Sequence, residues 1–235
     1  MTAAVDHDEW MSTTRTGRPR LRTQRRPGIT ARDEILDAAS ELFTTLGYTG
    51  TPTRTIADSV GIRQASLYHY FKTKDDILCA VLGQTVTPTL TFIPSLLSAM
   101  PTLTATEHLH ALAAFDGDQL LGGTWNLGAL YLLPELRADR LEPFWSDRER
   151  LRQHYLMLSR AVLQRTGVHP AAADLPFRLV ESLVNMWSVP HGPDRSDLPM
   201  QVADAGVRVL GVLDAETPAL RRRTRQVIEL HIGPR

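Results

Sequence analysis

The stretch from Thr53 to Phe71, TRTIADSVGIRQASLYHYF, constrains the fold of this chain more than any other. Thr53 can cap a helix, because its hydroxyl can accept from the free N–H groups two or three residues on. Ile56, Ala57 and Val60 then fall at i, i+1 and i+4 and give that helix one apolar side. Gly61 stands where a left-handed residue ends a helix at little cost, and Ile62 plugs the corner. Arg63 and Gln64 open a second helix that runs to Phe71. Leu67 and Phe71, four apart, can share its buried face. Arg63, Gln64, Ser66, Tyr68 and His69 are left for the outer sides, and no acid stands between Arg63 and Lys74. An ordinary helix pair in an all-helical core could carry the same glycine turn. A second helix rich in donors, small residues and aromatic hydroxyls also suits the major groove of a duplex, which admits a helix and offers base-edge partners.

The flanking residues favour the second reading. Thr73 is an N-cap with Asp76 at the third helical position, a capping box that opens a further helix at Lys74. Upstream, Thr30 caps a first helix, with Asp33 at its third position. Ile35, Ala38, Ala39, Leu42, Phe43 and Leu46 form the buried stripe of that helix, and Gly47 ends it. Tyr48 either packs on this unit or touches a DNA backbone.

The run Leu67-Tyr68-His69-Tyr70-Phe71-Lys72-Thr73-Lys74-Asp75 resembles the signature of the TetR family of transcriptional regulators. So do Ile35-Leu36-Asp37-Ala38-Ala39, Leu42-Phe43, Gly47-Tyr48, Thr55-Ile56-Ala57 and Val60-Gly61, in the family's order and spacing over residues 30 to 80. The resemblance implies an all-α chain. A three-helix helix-turn-helix head would be joined to an all-helical ligand-binding and dimerisation domain. It places Thr53 and Arg54 against a phosphate and Arg63, Gln64, Ala65, Ser66, Tyr68, His69 and Tyr70 at DNA, with Lys72 and Lys74 on its backbone. Side-chain chemistry divides these roles. Gln64 can pair bidentately with adenine, Arg63 with guanine, and Ala65 can meet a thymine methyl. Tyr68, His69 and Lys74 suit phosphates. Tyr70 can face DNA or pack beside Phe71.

Residues 1–29 form a first segment by composition. Arg15, Arg18, Arg20, Arg22, Arg25 and Arg26 crowd a stretch without acids, and Gly17, Pro19, Pro27 and Gly28 oppose helix formation. Such a stretch is either a solvated disordered tail or a basic arm. As an arm, Arg18 and Arg20 would lie along phosphates or enter a minor groove. Over the whole chain Lys plus Arg and Asp plus Glu balance at 26 each. That balance argues against a protein that coats nucleic acid indiscriminately but leaves room for a local basic face. Cys79 is the single cysteine, which rules out an internal disulfide and suits a reducing cytosol. Its place among apolar neighbours reads as a small core thiol. Acids rather than a basic-then-apolar signal follow Met1, and no run of 18 apolar residues occurs, so a cytoplasmic protein without a membrane span is expected.

Residues 30–74 make up the head by this reading and 75–235 the body. A fourth helix begins at Lys74 and joins the two. Pro88, Pro94 and Pro101 punctuate a short, broken segment after it. Thr104 with Glu107 is another capping box. Gly122-Gly123 interrupts, Pro134 marks a turn, and a long helix covers roughly Glu142 to Arg165. Trp125, Tyr131, Phe144, Trp145, Tyr155, Met157, Met186 and Trp187 are either plain core or the walls of a pocket. A pocket so lined would take an apolar or aromatic effector. Phe177, Val180, Leu183, Val184 and Trp187 make one late stripe, and Val202, Ala205, Gly206, Val209 and Leu213 a second. These stripes either pack within the monomer or meet a second copy, at the place where the resemblance implies a four-helix homodimer interface. Arg221, Arg222, Arg223 and Arg225 read as a solvated basic face.

The leading expectation is a DNA-binding regulator, a dimeric repressor of a palindromic operator, released by a small lipophilic ligand. An architectural DNA-binding protein without effector is the alternative. A helical small-molecule enzyme is a third reading, and no nucleophile elbow or metal spacing supports it. His108 and His110, two apart, do not share a helix face. No cofactor or metal is expected.

Overall fold

The computed structural model of the chain describes residues 26–99, 102–133, 141–186 and 196–232. Arg18, Arg20 and Trp187 lie outside them. The described residues are helical, with no strand among them.

Helix α1, Ala31–Leu46, begins with the capping box that Thr30 and Asp33 predict. The Thr30 hydroxyl accepts from the Asp33 N–H at 3.2 Å, and the Asp33 carboxylate accepts from the Thr30 N–H at 2.9 Å. Ile35, Ala38, Ala39 and Phe43 are buried as expected. Leu46 is not: it is 57% exposed. Thr51 closes the end of α1 from within, its hydroxyl lying 2.8 Å from the Gly47 carbonyl and 3.1 Å from that of Leu42, with one proton to donate between them. Helices α2 (Thr53–Val60) and α3 (Gln64–Tyr70) complete the head, and α4 (Lys74–Gly83) leaves it. The Thr73–Asp76 box caps α4 as expected.

In the body, α5 covers Thr87–Ala99 and α6 Ala105–Leu121. A 3₁₀ turn over Leu127–Leu132 precedes α7, Glu142–Thr166; α8 (Leu175–Met186), α9 (Leu198–Arg208) and α10 (Thr217–Ile232) follow. The proline-rich stretch is one helix rather than a broken segment. Pro88 stands in its first turn, where no N–H is missed, and Pro94 removes one interior bond that burial of Phe92, Ile93 and Leu96 outweighs.

Helix α6 is the axis of the body. Apart from Glu107 its residues from Thr106 to Gly117 are buried on every side, and α5, α7, α8, α9 and α10 pack around it. A Cβ on Gly117 would lie 2.9 Å from Leu183 Cδ1 and 3.2 Å from Pro199 Cα, so the missing side chain lets α8 and α9 close on α6. The helical stretch Lys74–Ser98 is long and apolar enough to cross a membrane by length and composition. Its most apolar window has mean hydropathy 1.4, and half of that window is buried inside the fold.

Candidate nucleic-acid interface

Gly61 makes the corner between α2 and α3. Its φ of 77° and ψ of 29° are left-handed. Its N–H donates to the Asp58 carbonyl at 3.1 Å, while the Ile62 N–H donates to that of Ala57 at 3.0 Å, the paired bonds of a Schellman ending. Ile56, Ala57, Val60 and Leu67 are buried beneath. Phe71 is buried too, but as the extended residue that ends α3 rather than as part of it.

Burying Leu67 and Phe71 turns the opposite side of α3 to solvent. Arg63, Gln64, Ala65, Tyr68, His69 and Tyr70 are exposed, and Ser66 is half-buried. Tyr70 is 48% exposed, so it does not pack inward. Lys72 and Arg54 are exposed as well, with Arg54 Nε 3.8 Å from the Asp58 carboxylate. Lys74 is drawn back onto the head, its Nζ 4.1 Å from the centre of the Tyr48 ring. Tyr48 itself packs: it is 8% exposed, meets Phe43 at 5.3 Å, and its hydroxyl donates to Asp75.

Thr53 does not cap α2. Pro52 occupies the cap position, without a side-chain bond, and Thr53 is the first helical residue. Its hydroxyl instead accepts from Gln64 Nε2 at 2.9 Å and lies 3.1 Å from the Tyr68 hydroxyl. The start of α2 thus holds two side chains of α3 in place. Arg26, counted with the basic arm by sequence, is packed on the head. It pairs with Asp37 at 2.9 Å and Glu41 at 2.5 Å on α1.

The aromatic candidates for pocket walls divide by packing. Phe144 and Tyr155 are 2% and 0% exposed and sit in the core, with Tyr131, Phe144 and Trp145 in ring contact. Met157 and Met186 are on the outside, 49% and 43% exposed. Of these candidates, Trp125 lines the cavity of about 430 Å³ found between the ends of α4 and α6, and its lining is polar. The dimer stripes are corrected in part. Phe177, Val180, Leu183, Val184 and Gly206 are buried inside the single chain, where Leu183 meets Gly117 of α6, Phe177 meets Tyr155 of α7, Val184 meets Gly128 and Gly206 meets Pro176. Val202 and Ala205 are half-buried, and Val209 and Leu213 are 38% and 70% exposed.

Two buried polar clusters gave no local signal in sequence. His110 on α6 lies 2.7 Å from the Thr224 hydroxyl and 2.9 Å from Asp204, whose other oxygen accepts from Arg221. Burial raises the Asp204 carboxyl and the bonds from Arg221 and His110 outweigh it, so its pKa is held below the usual range. Burial lowers that of His110. This is the hydroxyl–imidazole–carboxylate connectivity of a hydrolase, but His110 is 0% and Thr224 1% exposed, so no substrate reaches it. In the second cluster, Asp116 accepts from Thr89 and Tyr155, each at 2.8 Å, and burial pushes its pKa to about 6. Burial also pushes the Cys79 thiol up, which fits a core thiol rather than a reactive one. No group of His, Cys, Asp and Glu fit to hold a metal occurs among the described residues.

The family described as "Bacterial regulatory proteins, tetR family" matches residues 35–81. The chain is similar over most of its length to AmtR of Mycobacterium smegmatis. The two are 50% identical and superpose with a TM-score of 0.79, covering 91% of this chain and 100% of that one. The repressor KstR2 of Mycolicibacterium smegmatis is 47% identical over 51 residues, 22% of this chain and 25% of KstR2. IcaR of Staphylococcus aureus, the negative regulator of a biofilm operon, is 48% identical over 46 residues, 20% of this chain and 25% of IcaR. The match thus spans about a quarter of these curated relatives' length. KstR2 of Mycobacterium tuberculosis, at 20% identity and a TM-score of 0.59 over 79% of this chain and 95% of that one, shares the fold.

Proposed function

We propose, for a chain that belongs to the TetR family of regulators and is a DNA-binding transcriptional regulator rather than an enzyme, that it represses transcription as a homodimer on a palindromic operator and is released by a small molecule. The exposure of Arg63, Gln64, Tyr68 and His69 over a buried Leu67 carries the reading. A side of a short helix rich in donors, held outward by a packed corner, can enter a major groove as a unit. Gln64 and Arg63 would read bases, with Thr53, Arg54, Ala65, Ser66, Tyr68, His69, Tyr70, Lys72 and Lys74 around them on bases and phosphates.

One such helix spans only a few base pairs, so a useful operator needs two heads related by a two-fold axis. The outward sides of α8 and α9 support that pairing. Leu175 and Met186 on α8, Val209 at the end of α9 and Leu213 beyond it are apolar and exposed. Val202 and Ala205 continue the α9 row inward. These residues replace the buried half of the stripes as the candidate interface. A two-fold dimer should be cytoplasmic, where its DNA is.

The test is selection of bound duplexes from a random pool, followed by footprinting and sedimentation. Recovery of a short inverted repeat bound by two chains supports the reading. Indiscriminate binding by a single chain would mark an architectural protein instead.

A further inference from the structure

Residues 125–131, after α6, touch both parts of the molecule. Toward the head, the Trp125 indole N–H donates to Asp37 Oδ1 on α1 at 3.4 Å, and the Tyr131 hydroxyl bonds that of Thr85, just past the end of α4. Toward the body, Asn126 Nδ2 donates to the Val184 carbonyl on α8 at 3.2 Å, and Gly128 lies against the Val184 side chain. We propose that Trp125, Asn126, Gly128 and Tyr131 form a strap that holds the head at one angle on α8, and thereby sets which spacing of operator half-sites a dimer accepts. The proposal rests on the dimeric regulator reading above and names positioning residues that determine its specificity without touching DNA.

The body side of the strap is closely fitted. A Cβ on Gly128 would lie 2.8 Å from Val184 Cγ1 and closer still to Cγ2, so the missing side chain lets the strap lie directly on α8. Asn126 is buried, and both ends of its amide are used. Its Nδ2 takes the Val184 carbonyl, while its Oδ1 accepts from the Ala129 N–H at 3.2 Å and starts the 3₁₀ turn. Tyr131 fixes the far end. Its ring meets Phe144 of α7 at 5.3 Å. Arg148 of α7 stands over the same ring at 5.9 Å and pairs with Glu181 of α8, so this end is tied to both helices.

The head side completes a path. Val184 faces inward on the helix whose outer residues Leu175 and Met186 are candidate contacts between copies. Asp37 stands on α1, α1 packs on α2, and Thr53 of α2 holds Gln64 and Tyr68 of α3. The surface that pairs two chains is therefore linked to the side chains that read DNA through packed contacts and hydrogen bonds. Helix α4 is the covalent joint between head and body, and one helical joint by itself permits a hinge. The ties at Trp125 and Tyr131 give the head two further points of attachment and oppose rotation about that joint. Rotation matters on DNA, because one added base pair moves a half-site by about 3.4 Å and turns it by roughly 35°. Fixed heads meet the second half-site at one spacing, whereas loosened heads adapt to several.

The test uses the full chain in two stages. First, without DNA, spin labels on Thr45→Cys in the head and Arg160→Cys in the body, in a Cys79→Ser background diluted with unlabelled chains, report the head–body distance. Trp125→Phe, which keeps the ring and removes the N–H, should widen the distance distribution at native thermal unfolding. Gly128→Ala should widen or shift it, and Val184→Ala in the same chain, which removes both crowded methyl groups, should restore it. An unchanged distribution in both Trp125→Phe and Gly128→Ala overturns the strap. Second, affinity is measured for one selected half-site and for two half-sites separated by spacers of different length. The native chain should prefer one spacer at least about tenfold over those one base pair longer or shorter. Trp125→Phe should lower that ratio about threefold, the worth of one weak hydrogen bond, with affinity for the single half-site unchanged. A merely structural role would instead lower half-site affinity and thermal stability and leave the ratio native, and that result overturns the assignment. Failure to recover an inverted repeat overturns the dimeric reading and the spacing role with it, while the first stage still decides the strap.

Discussion

Gln64 Nε2 donates to the Thr53 hydroxyl across 2.9 Å, so a side chain proposed to read a base is already held before DNA arrives. Holding one end of the amide leaves its oxygen turned to accept from a base amine, and ordering the side chain in advance lowers the entropy lost on binding. Gln64→Ala should cost about 1–3 kcal/mol at one base pair of the operator and relax preference there. Thr53→Val should lose a smaller share of selectivity at that same base pair, through freedom of Gln64. Binding titrations against single-base operator variants measure both. A loss spread evenly over all variants would make Gln64 a backbone contact.

The basic segment should be cut before Arg26, not after it. Arg26 pairs with Asp37 and Glu41 at 17% side-chain exposure and belongs to the head's packing. Deleting residues 1–25 should weaken DNA binding and flatten its salt dependence by about 0.9 in logarithmic slope for each phosphate that the arm neutralises. Deleting residue 26 as well should also lower thermal stability. If the slope of the shorter deletion equals that of the full chain, the arginines before Arg26 do not touch DNA.

Sedimentation of two variants separates an interface from a core. Leu213→Glu places a charge on a residue that is 70% exposed, at the proposed contact between copies. It should leave folding intact, yield single chains at micromolar concentration, and weaken operator binding at least about tenfold. Val180→Glu buries an unpaired charge at a position of 0% exposure and should unfold the body. A Leu213→Glu protein that remains paired would move the interface elsewhere.

What the sequence disclosed follows from how local each signal is. The Thr30, Thr73 and Thr104 caps and the Gly61 corner are fixed within a few residues, and the helices start or end there. Thr53 misled because a hydroxyl that could cap α2 is used across the turn by Gln64 and Tyr68. The stripes of α8 and α9 were visible, but a period reveals which side is apolar, not what covers it. Here α6 covers Leu183 at Gly117, from within the same chain. Periodicity was silent about α6 itself, since a helix buried all round has no polar side to set its rhythm. His110 meets Asp204 and Thr224, and Trp125 meets Asp37, only after folding.

Asp116 makes the stability of the body depend on pH in the direction opposite to most carboxylates. Burial raises its pKa from the ordinary 3.8 to about 6, although Thr89 and Tyr155 both donate to it and oppose the shift. The folded chain therefore binds this proton more tightly than the unfolded chain. Its contribution is complete below about pH 4 and is lost as pH rises through 6, on the order of 2–3 kcal/mol in all. Asp116→Asn mimics the protonated acid, since an amide can accept from one hydroxyl and donate to the other. The variant should match the native protein near pH 4 and exceed its stability at pH 7.5, by urea unfolding at both values. Equal pH dependence in the two proteins would mean that Asp116 keeps an ordinary pKa, and that water reaches it in the folded state.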